Sequence, residues 1–326
     1  MIITRTPLRI SLGGGGTDLP SYYSRYGGMV VSAAINRYIY VGINRTFTDD
    51  YFIKYAEMER RKSVEEISHP IIREALRAHP IGPALELVSM ADIPAGTGLG
   101  SSGSFTVGLL RAIYAFEREH VASRHLAEEA CDIEITRLGR TVGKQDQYIA
   151  AFGGLSCLEF DTQGRVTVSP LRIPAAALHD LEERLLLFFT GYSRSAEGQL
   201  REQHERSTAG DEAMLASLGD VAAIGHRVRE TLEAGDTHAF AALLHEHWLG
   251  KRRRSSGMSS PAIDHWYEVG MANGALGGKL VGAGGGGFLL FYAADTQSLR
   301  AAMEREGLDE VHFSFDLDGS SVIVRD

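Results

Sequence analysis

At 326 residues and 35.5 kDa the chain is long enough for two domains, and 44% hydrophobic with 23% charged residues fits a globular protein with a full core. The 33 Lys and Arg against 42 Asp and Glu give a net charge of −9, which argues against nucleic acid as a partner, and no apolar run approaches the roughly 18 residues that span a bilayer. Two cysteines, Cys131 and Cys157, are too sparse for a disulfide scaffold, and the first five residues do not read as a secretion signal, so a reducing cytoplasm is the expected location.

Residues 4–12 alternate Leu8, Ile10 and Leu12 with Arg9 and Ser11, a period of two that predicts a strand with Arg9 on its second face. Gly13-Gly14-Gly15-Gly16-Thr17-Asp18 follows it. Further strands are predicted over 29–36, 38–44, 51–56 and 85–91, with a short helix over 69–79. The run Pro94-Ala95-Gly96-Thr97-Gly98-Leu99-Gly100-Ser101-Ser102-Gly103 opens a long helix to about residue 119. A second helix is predicted over 123–138 and a hairpin from 154–160 and 165–171. The pattern changes after Pro174, through Ala175-Ala176-Ala177. A strand over 184–190 leads into a mostly helical stretch, 196–273. Sheet returns at 279–281 and 288–293 around Gly282-Ala283-Gly284-Gly285-Gly286-Gly287, followed by a helix near 297–306 and a strand signal over 311–324. The expected organisation is two α+β domains meeting near residue 175, spanning 1–175 and 176–326.

Much of the glycine is concentrated in three blocks. Gly98-Leu99-Gly100-Ser101-Ser102-Gly103 literally matches GxGxxG, but a dinucleotide fold would place a parallel strand after its helix, whereas a second helix follows here. Walker A fails, because Gly143-Lys144, Gly250-Lys251 and Gly278-Lys279 are never followed by Ser or Thr, and the HRD and DFG motifs of protein kinases do not occur. The block still suits an anion. Successive glycines let backbone N–H groups converge, the following helix turns its positive end toward the loop, and Ser101 and Ser102 add hydroxyls. Four consecutive glycines, Gly284 to Gly287, argue for close approach by a ligand or another backbone. The 12 histidines form no credible zinc motif, and Trp248, Trp266 and Tyr267 read as core.

Three motifs in order resemble those of the GHMP kinase superfamily. They are Thr6-Pro7-Leu8-Arg9-Ile10-Ser11-Leu12 through Asp18, the segment 94–103, and the glycine-rich segment 279–291. Between them Glu134, Gly139, Gly143 and Asp146 reproduce the spacing of sugar kinases. The resemblance implies a two-domain α+β fold, with an N-terminal domain like ribosomal protein S5 domain 2 and a ferredoxin-like C-terminal domain. It also implies ATP held by Pro94, Gly96, Thr97, Gly98, Leu99, Gly100, Ser101, Ser102 and Gly103. Mg²⁺ would lie on Ser102 and Glu134, Asp146 at the acceptor hydroxyl, and Arg9 beside Asp146.

Galactose-type kinases carry G-E-H-T-D where this chain has Gly14-Gly15-Gly16-Thr17-Asp18, so galactose is not the expected acceptor. This version is similar to that of bacterial kinases phosphorylating the anomeric hydroxyl of D-glycero-D-manno-heptose 7-phosphate. Fucose kinases share part of the pattern, and a non-catalytic nucleotide-binding regulator is the reading from another class. Gly14, Gly15, Gly16, Thr17, Asp18, Gly284, Gly285 and Gly286 are the expected substrate residues. Arg194 is the first candidate for a distal phosphate, and Lys251-Arg252-Arg253-Arg254 is the second, although cations ending a helix also simply complement its dipole. The implied partner is a small sugar phosphate, without nucleic acid or membrane, and a homo-oligomer is compatible with the reading.

Overall fold

The computed structural model describes residues 1–191, 197–254 and 257–326. The first half runs β1 (Ile2–Gly13), α1 (Pro20–Tyr26), β2 (Gly28–Arg45), β3 (Tyr51–Lys54), β4 (Met58–Arg61), α2 (Pro70–Ala78), β5 (Leu85–Ala91), α3 (Ser101–Glu117), α4 (Ser123–Cys131), α5 (Gln145–Phe152), β6 (Leu155–Phe160) and β7 (Val166–Pro170). The second half runs α6 (Ala175–Arg184), β8 (Leu185–Phe189), α7 (Glu197–Thr208), α8 (Glu212–Glu233), α9 (Thr237–Arg254), α10 (Pro261–Ala272), β9 (Ala275–Leu280), β10 (Phe288–Ala293), α11 (Thr296–Arg305), β11 (Asp309–Glu310) and β12 (Ser321–Arg325).

The larger sheet has the order β12-β1-β2-β5-β3-β4, with β6 and β7 extending from β2. Every pairing is antiparallel except β3 with β5. The two predicted strands over 29–44 are one long strand: β2 bends rather than breaks, and its register against β1 shifts where Pro7 and Leu8 face Tyr38 and Ile35. Proline cannot donate to a ladder, so the irregularity falls where the sequence requires it. The Pro7 carbonyl is instead satisfied from above the sheet by the Ser104 hydroxyl of α3, at 2.8 Å.

Helix α3 lies on β1 and β2. Its residues from Gly103 to Ala115 are buried apart from Arg111, because the segment is apolar on nearly every face. Leu109, Leu110 and Ile113 are fully enclosed, each such side chain contributing roughly 1.5–3 kcal/mol. That packing anchors the helix whose first turn carries Ser101 and Ser102.

The smaller sheet is β11-β8-β10-β9, wholly antiparallel, with Trp248, Phe188, Phe291 and Tyr267 in the core beside it. The fold is the expected two-domain α+β arrangement. The division at residue 175 is not a clean cut, however, because β12 pairs with β1 and returns the end of the chain to the first sheet. Over 311–324 only Ser321–Arg325 is a strand continuous with that sheet. Asp316 turns the preceding segment by accepting from the amides of Asp318 and Gly319. The short elements α1, β4, α5 and α6 carry weak sequence signals and were not expected. Among the described residues no helix is long and apolar enough to cross a membrane.

Candidate active site

Strand β1 delivers Arg9 to the interior, where it is 4% exposed. Its Nε donates to Asp146 Oδ1 at 2.8 Å and its Nη1 to the Gly98 carbonyl at 2.5 Å, while the Arg9 amide donates to Leu99 O at 3.0 Å. One side chain thus ties the first strand, the second glycine block and the expected acceptor-side aspartate. Asp146 lies in the first turn of α5, where a carboxylate is favoured by the helix dipole. A Cβ at Gly103 would stand 2.7 Å from the Cβ of Asp146, so α3 and α5 meet at van der Waals contact over this residue.

Asp18 is buried behind the loop 14–18. Its Oδ1 accepts from Gly16 N at 3.0 Å and its Oδ2 from Gln145 N at 3.2 Å, which places it beside Asp146. Burial, reinforced by the Asp146 charge, pushes the Asp18 carboxyl above the ordinary value, against the pull of these amides. Thr17, expected among the substrate residues, is fully buried. Its hydroxyl lies within 2.8 Å of Gly14 O and 3.0 Å of Met29 O and accepts from Met29 N. It therefore holds the loop together instead of facing a ligand.

Glu134 is fully buried in a π-helical turn, Asp132–Arg137, that continues α4. The predicted straight helix over 123–138 is thereby interrupted, a local widening often found at functional positions. Glu134 Oε2 accepts from the Ser102 hydroxyl, and Oε1 accepts from Gln147 Nε2 at 2.9 Å. Arg140 Nη1 bridges both partners, at 2.9 Å from Ser102 Oγ and 3.3 Å from Glu134 Oε2. Burial raises the Glu134 carboxyl, and the donors from Ser102, Gln147 and Arg140 oppose the shift.

The glycine blocks of the two halves touch backbone to backbone. A Cβ at Gly282 would lie 2.5 Å from Gly98 Cα, and one at Gly287 would lie 2.1 Å from Thr97 O. Both glycines also have positive φ, 83° and 108°, so two independent constraints exclude a side chain. Thr190, at the end of β8, locks the same point through paired bonds with Gly287 at 3.1 Å. Thr97 Oγ1 donates to Pro94 O at 3.0 Å, closing the loop 94–97 on itself. Gly284 and Gly285 rest against Met258, the Gly285 amide donating to its carbonyl at 3.1 Å. The Ser101 hydroxyl, at the start of α3, is shielded from solvent and has no hydrogen-bond partner among the described residues.

The structure therefore brings together Arg9, Asp18, Gly98, Gly100, Ser102, Gly103, Glu134 and Asp146. Arg194 lies outside the described residues. Three contributors escaped the sequence reading. Arg140 and Gln147 carry no spacing signal, because a regular helix would not project Glu134 toward either. Gln203 links α7 to the Gly16 carbonyl at 2.9 Å from far along the chain.

The sequence matches the GHMP kinases N terminal domain over residues 65–154 and the GHMP kinases C terminal domain over residues 228–308. It is 32% identical to the D-glycero-alpha-D-manno-heptose 7-phosphate kinase of Campylobacter jejuni, across 98% of this chain and 97% of that relative. The L-fucokinase/L-fucose-1-P guanylyltransferase of Bacteroides fragilis is 28% identical over 90% of this chain, which spans 35% of that longer protein. Among solved structures, a D-glycero-D-manno-heptose 1-phosphate kinase from Bacteroides thetaiotaomicron has a TM-score of 0.81 and 26% identity, covering 100% of both chains. The chain belongs to the GHMP kinase family and is a sugar kinase, a phosphotransferase with an alcohol group as acceptor.

Proposed function

We propose that the protein transfers the terminal phosphoryl group of ATP to the anomeric hydroxyl of a D-glycero-D-manno-heptose 7-phosphate, giving the 1,7-bisphosphate. The observation that carries this reading is the pairing of buried Arg9 with half-buried Asp146, set between the glycine loop at 98–103 and the loop that presents Asp18. The Campylobacter relative, aligned along nearly the whole chain, supports the heptose phosphate as acceptor.

The residues present fit a nucleotide. The amides of 96–103, the positive end of the 17-residue α3 and the unpartnered Ser101 hydroxyl form a cradle for phosphate oxygens. Ser102 and Glu134 are hard oxygen donors suited to Mg²⁺, with further positions left to water and phosphate. When bound, the ion supplies neutralisation of charge on the phosphates.

Phosphoryl transfer passes through a loose transition state, so positioning and charge matter more than early deprotonation. Asp146 accepts the hydrogen bond of the attacking hydroxyl and orients its oxygen. Arg9 fixes the Asp146 carboxylate and adds positive charge beside the glycine loop. Asp18 accepts hydrogen bonds from the sugar hydroxyls. A bond forms from the sugar oxygen to phosphorus as the bond to the leaving ADP oxygen breaks, and the hydroxyl proton passes to Asp146 as the transfer completes.

The test is ADP release with ATP and Mg²⁺ over a panel of D-glycero-D-manno-heptose 7-phosphate, the unphosphorylated heptose, L-fucose, galactose and mannose. Turnover confined to the 7-phosphate is the expected result. Preference for L-fucose would replace the acceptor, and silence across the panel would favour a non-catalytic nucleotide-binding role.

A further inference from the structure

The four cations that end α9 have different environments. Arg252 pairs with Asp264 at 3.0 Å and Arg253 is exposed. Lys251 is buried, its ammonium donating to the carbonyls of Leu280 and Gly282. Arg254 is 8% exposed and has no carboxylate partner among the described residues. Its Nε donates to Ser217 Oγ at 3.1 Å, its Nη1 to Gln203 Oε1 at 3.4 Å, and its Nη2 to none of the described residues. Complementing the helix dipole explains Arg252 and Arg253 and leaves the two buried members unexplained.

These two are not alone in the interior. Arg254 and Arg9 both repel Lys251, and Lys251, Arg9 and Arg254 all repel Lys279, itself buried against His247 at 3.2 Å. Four basic side chains therefore converge, and Asp146 beside them is already engaged by Arg9. Burial and mutual repulsion hold Lys251 and Lys279 below their ordinary values, so the lysines can shed their protons, whereas the Arg254 guanidinium keeps its charge out of water, which is unfavourable unless an anion completes the site.

Position decides which anion. Lys251 leans toward the nucleotide side, since the Gly282 carbonyl it holds belongs to the loop that abuts Gly98. Arg254 leans toward the acceptor side, because the Gln203 amide it contacts donates with its other end to Gly16 of the acceptor loop, whose amide in turn donates to Asp18.

We infer that Arg254, carried by Gln203 and Ser217 beside the acceptor loop, binds the phosphomonoester that the sugar bears away from its reacting hydroxyl. The inference rests on the proposed phosphorylated acceptor. It assigns selection for that phosphate to a guanidinium whose free Nη2 and fork geometry suit a dianion.

The test compares D-glycero-D-manno-heptose 7-phosphate with the unphosphorylated heptose for the wild type, Arg254→Gln and Gln203→Glu. The ratio of kcat/KM values for the two sugars is expected to fall about 100-fold in Arg254→Gln, the scale of losing charge-assisted bonds to a phosphate. Calorimetry without nucleotide should show the same loss in Kd for the 7-phosphate. Gln203→Glu places a carboxylate against Arg254 and should lower the ratio while the protein stays folded, which guards against a folding defect in the first variant. An unchanged ratio in both variants, with the wild type still preferring the 7-phosphate, overturns the assignment and leaves the acceptor standing. A loss that follows the Kd for ATP instead would assign Arg254 to the nucleotide and overturn it too. A wild type indifferent to the phosphate overturns both readings.

Discussion

Gly143→Ala tests the architecture around Asp18 without touching a charged residue. A Cβ at position 143 would lie 1.8 Å from Asp18 Oδ2 and 2.4 Å from its Cγ, far inside the roughly 3.5–4 Å of normal carbon contact. The backbone there is not left-handed, so the perturbation is steric and local. The Asp18 carboxylate must swing away from Gln145 N and Gly16 N, the two amides that hold it. Bonds to a charged group are worth roughly 1.5–3 kcal/mol each, so losing both places about 3 kcal/mol or more at stake. Expressed in the transition state for phosphoryl transfer, about 3 kcal/mol is roughly a 150-fold fall in kcat/KM for the sugar. The Kd for ATP should stay within about twofold, because the nucleotide loop is held by other contacts. Steady-state kinetics in both substrates, with nucleotide titration, reads the effect. If the clash with Asp18 is the whole cause, Asp18→Ala and Asp18→Ala/Gly143→Ala will be equally impaired. Wild-type kinetics in Gly143→Ala, or additive losses in the double variant, would refute the reasoning.

Four other predictions follow from the same geometry. Asp146→Ala should cut turnover by orders of magnitude while ATP still binds, and near-normal ADP release would remove Asp146 from the reaction. Glu134→Gln should raise the Mg²⁺ concentration needed for half-maximal ADP release; an unchanged titration would count against a metal role. The same variant has a pH signature. Burial raises the Glu134 carboxyl above 4.5, so its stability contribution is fully present below that pH and is lost as pH rises through the raised value. The melting temperature of Glu134→Gln minus that of the wild type should therefore grow with pH, and a flat difference would contradict the burial argument. Finally, burial with the charges of Arg254 and Arg9 brings Lys251 down to about 7, so an arriving anion should restore its proton. Calorimetry of ATP binding near pH 8, in buffers of different ionisation enthalpy, should show proton uptake that Lys251→Met abolishes. Equal heats in both variants would place the anion elsewhere.

The parts of the site legible in the sequence are those written by local rules. Arg9 is fixed by strand alternation, and the loop 94–103 by glycines at a strand-to-helix junction. Glu134 and Asp146 could be singled out only through motif spacing, because a regular helix over 123–138 gives no reason for Glu134 to face Ser102. The π-helical turn supplies that reason, and no residue pattern announces it. Helix α5 was missed because Lys144, Gln145, Asp146 and Gln147 form a polar start without a capping side chain. Helix α6 was missed because three alanines after Pro174 read equally well as a linker. Lys251, Arg254 and Lys279 look like surface positions in a linear reading. Their burial follows from α9 packing against β9, a contact between segments that local sequence does not connect.

The seam where Gly98 meets Gly282 and Thr97 meets Gly287 contains main chain on both sides and no side chain to act as a cushion. Side chains absorb displacement by changing rotamer; peptide planes in contact cannot. A shift of the loop 94–100 is therefore passed on directly to the loop between β9 and β10, and through Gly287 to Thr190 at the tip of β8. The two halves are geared at this point by shape alone. A methyl group at any of the three glycines would act as a wedge, prising apart segments more than 180 residues distant in sequence.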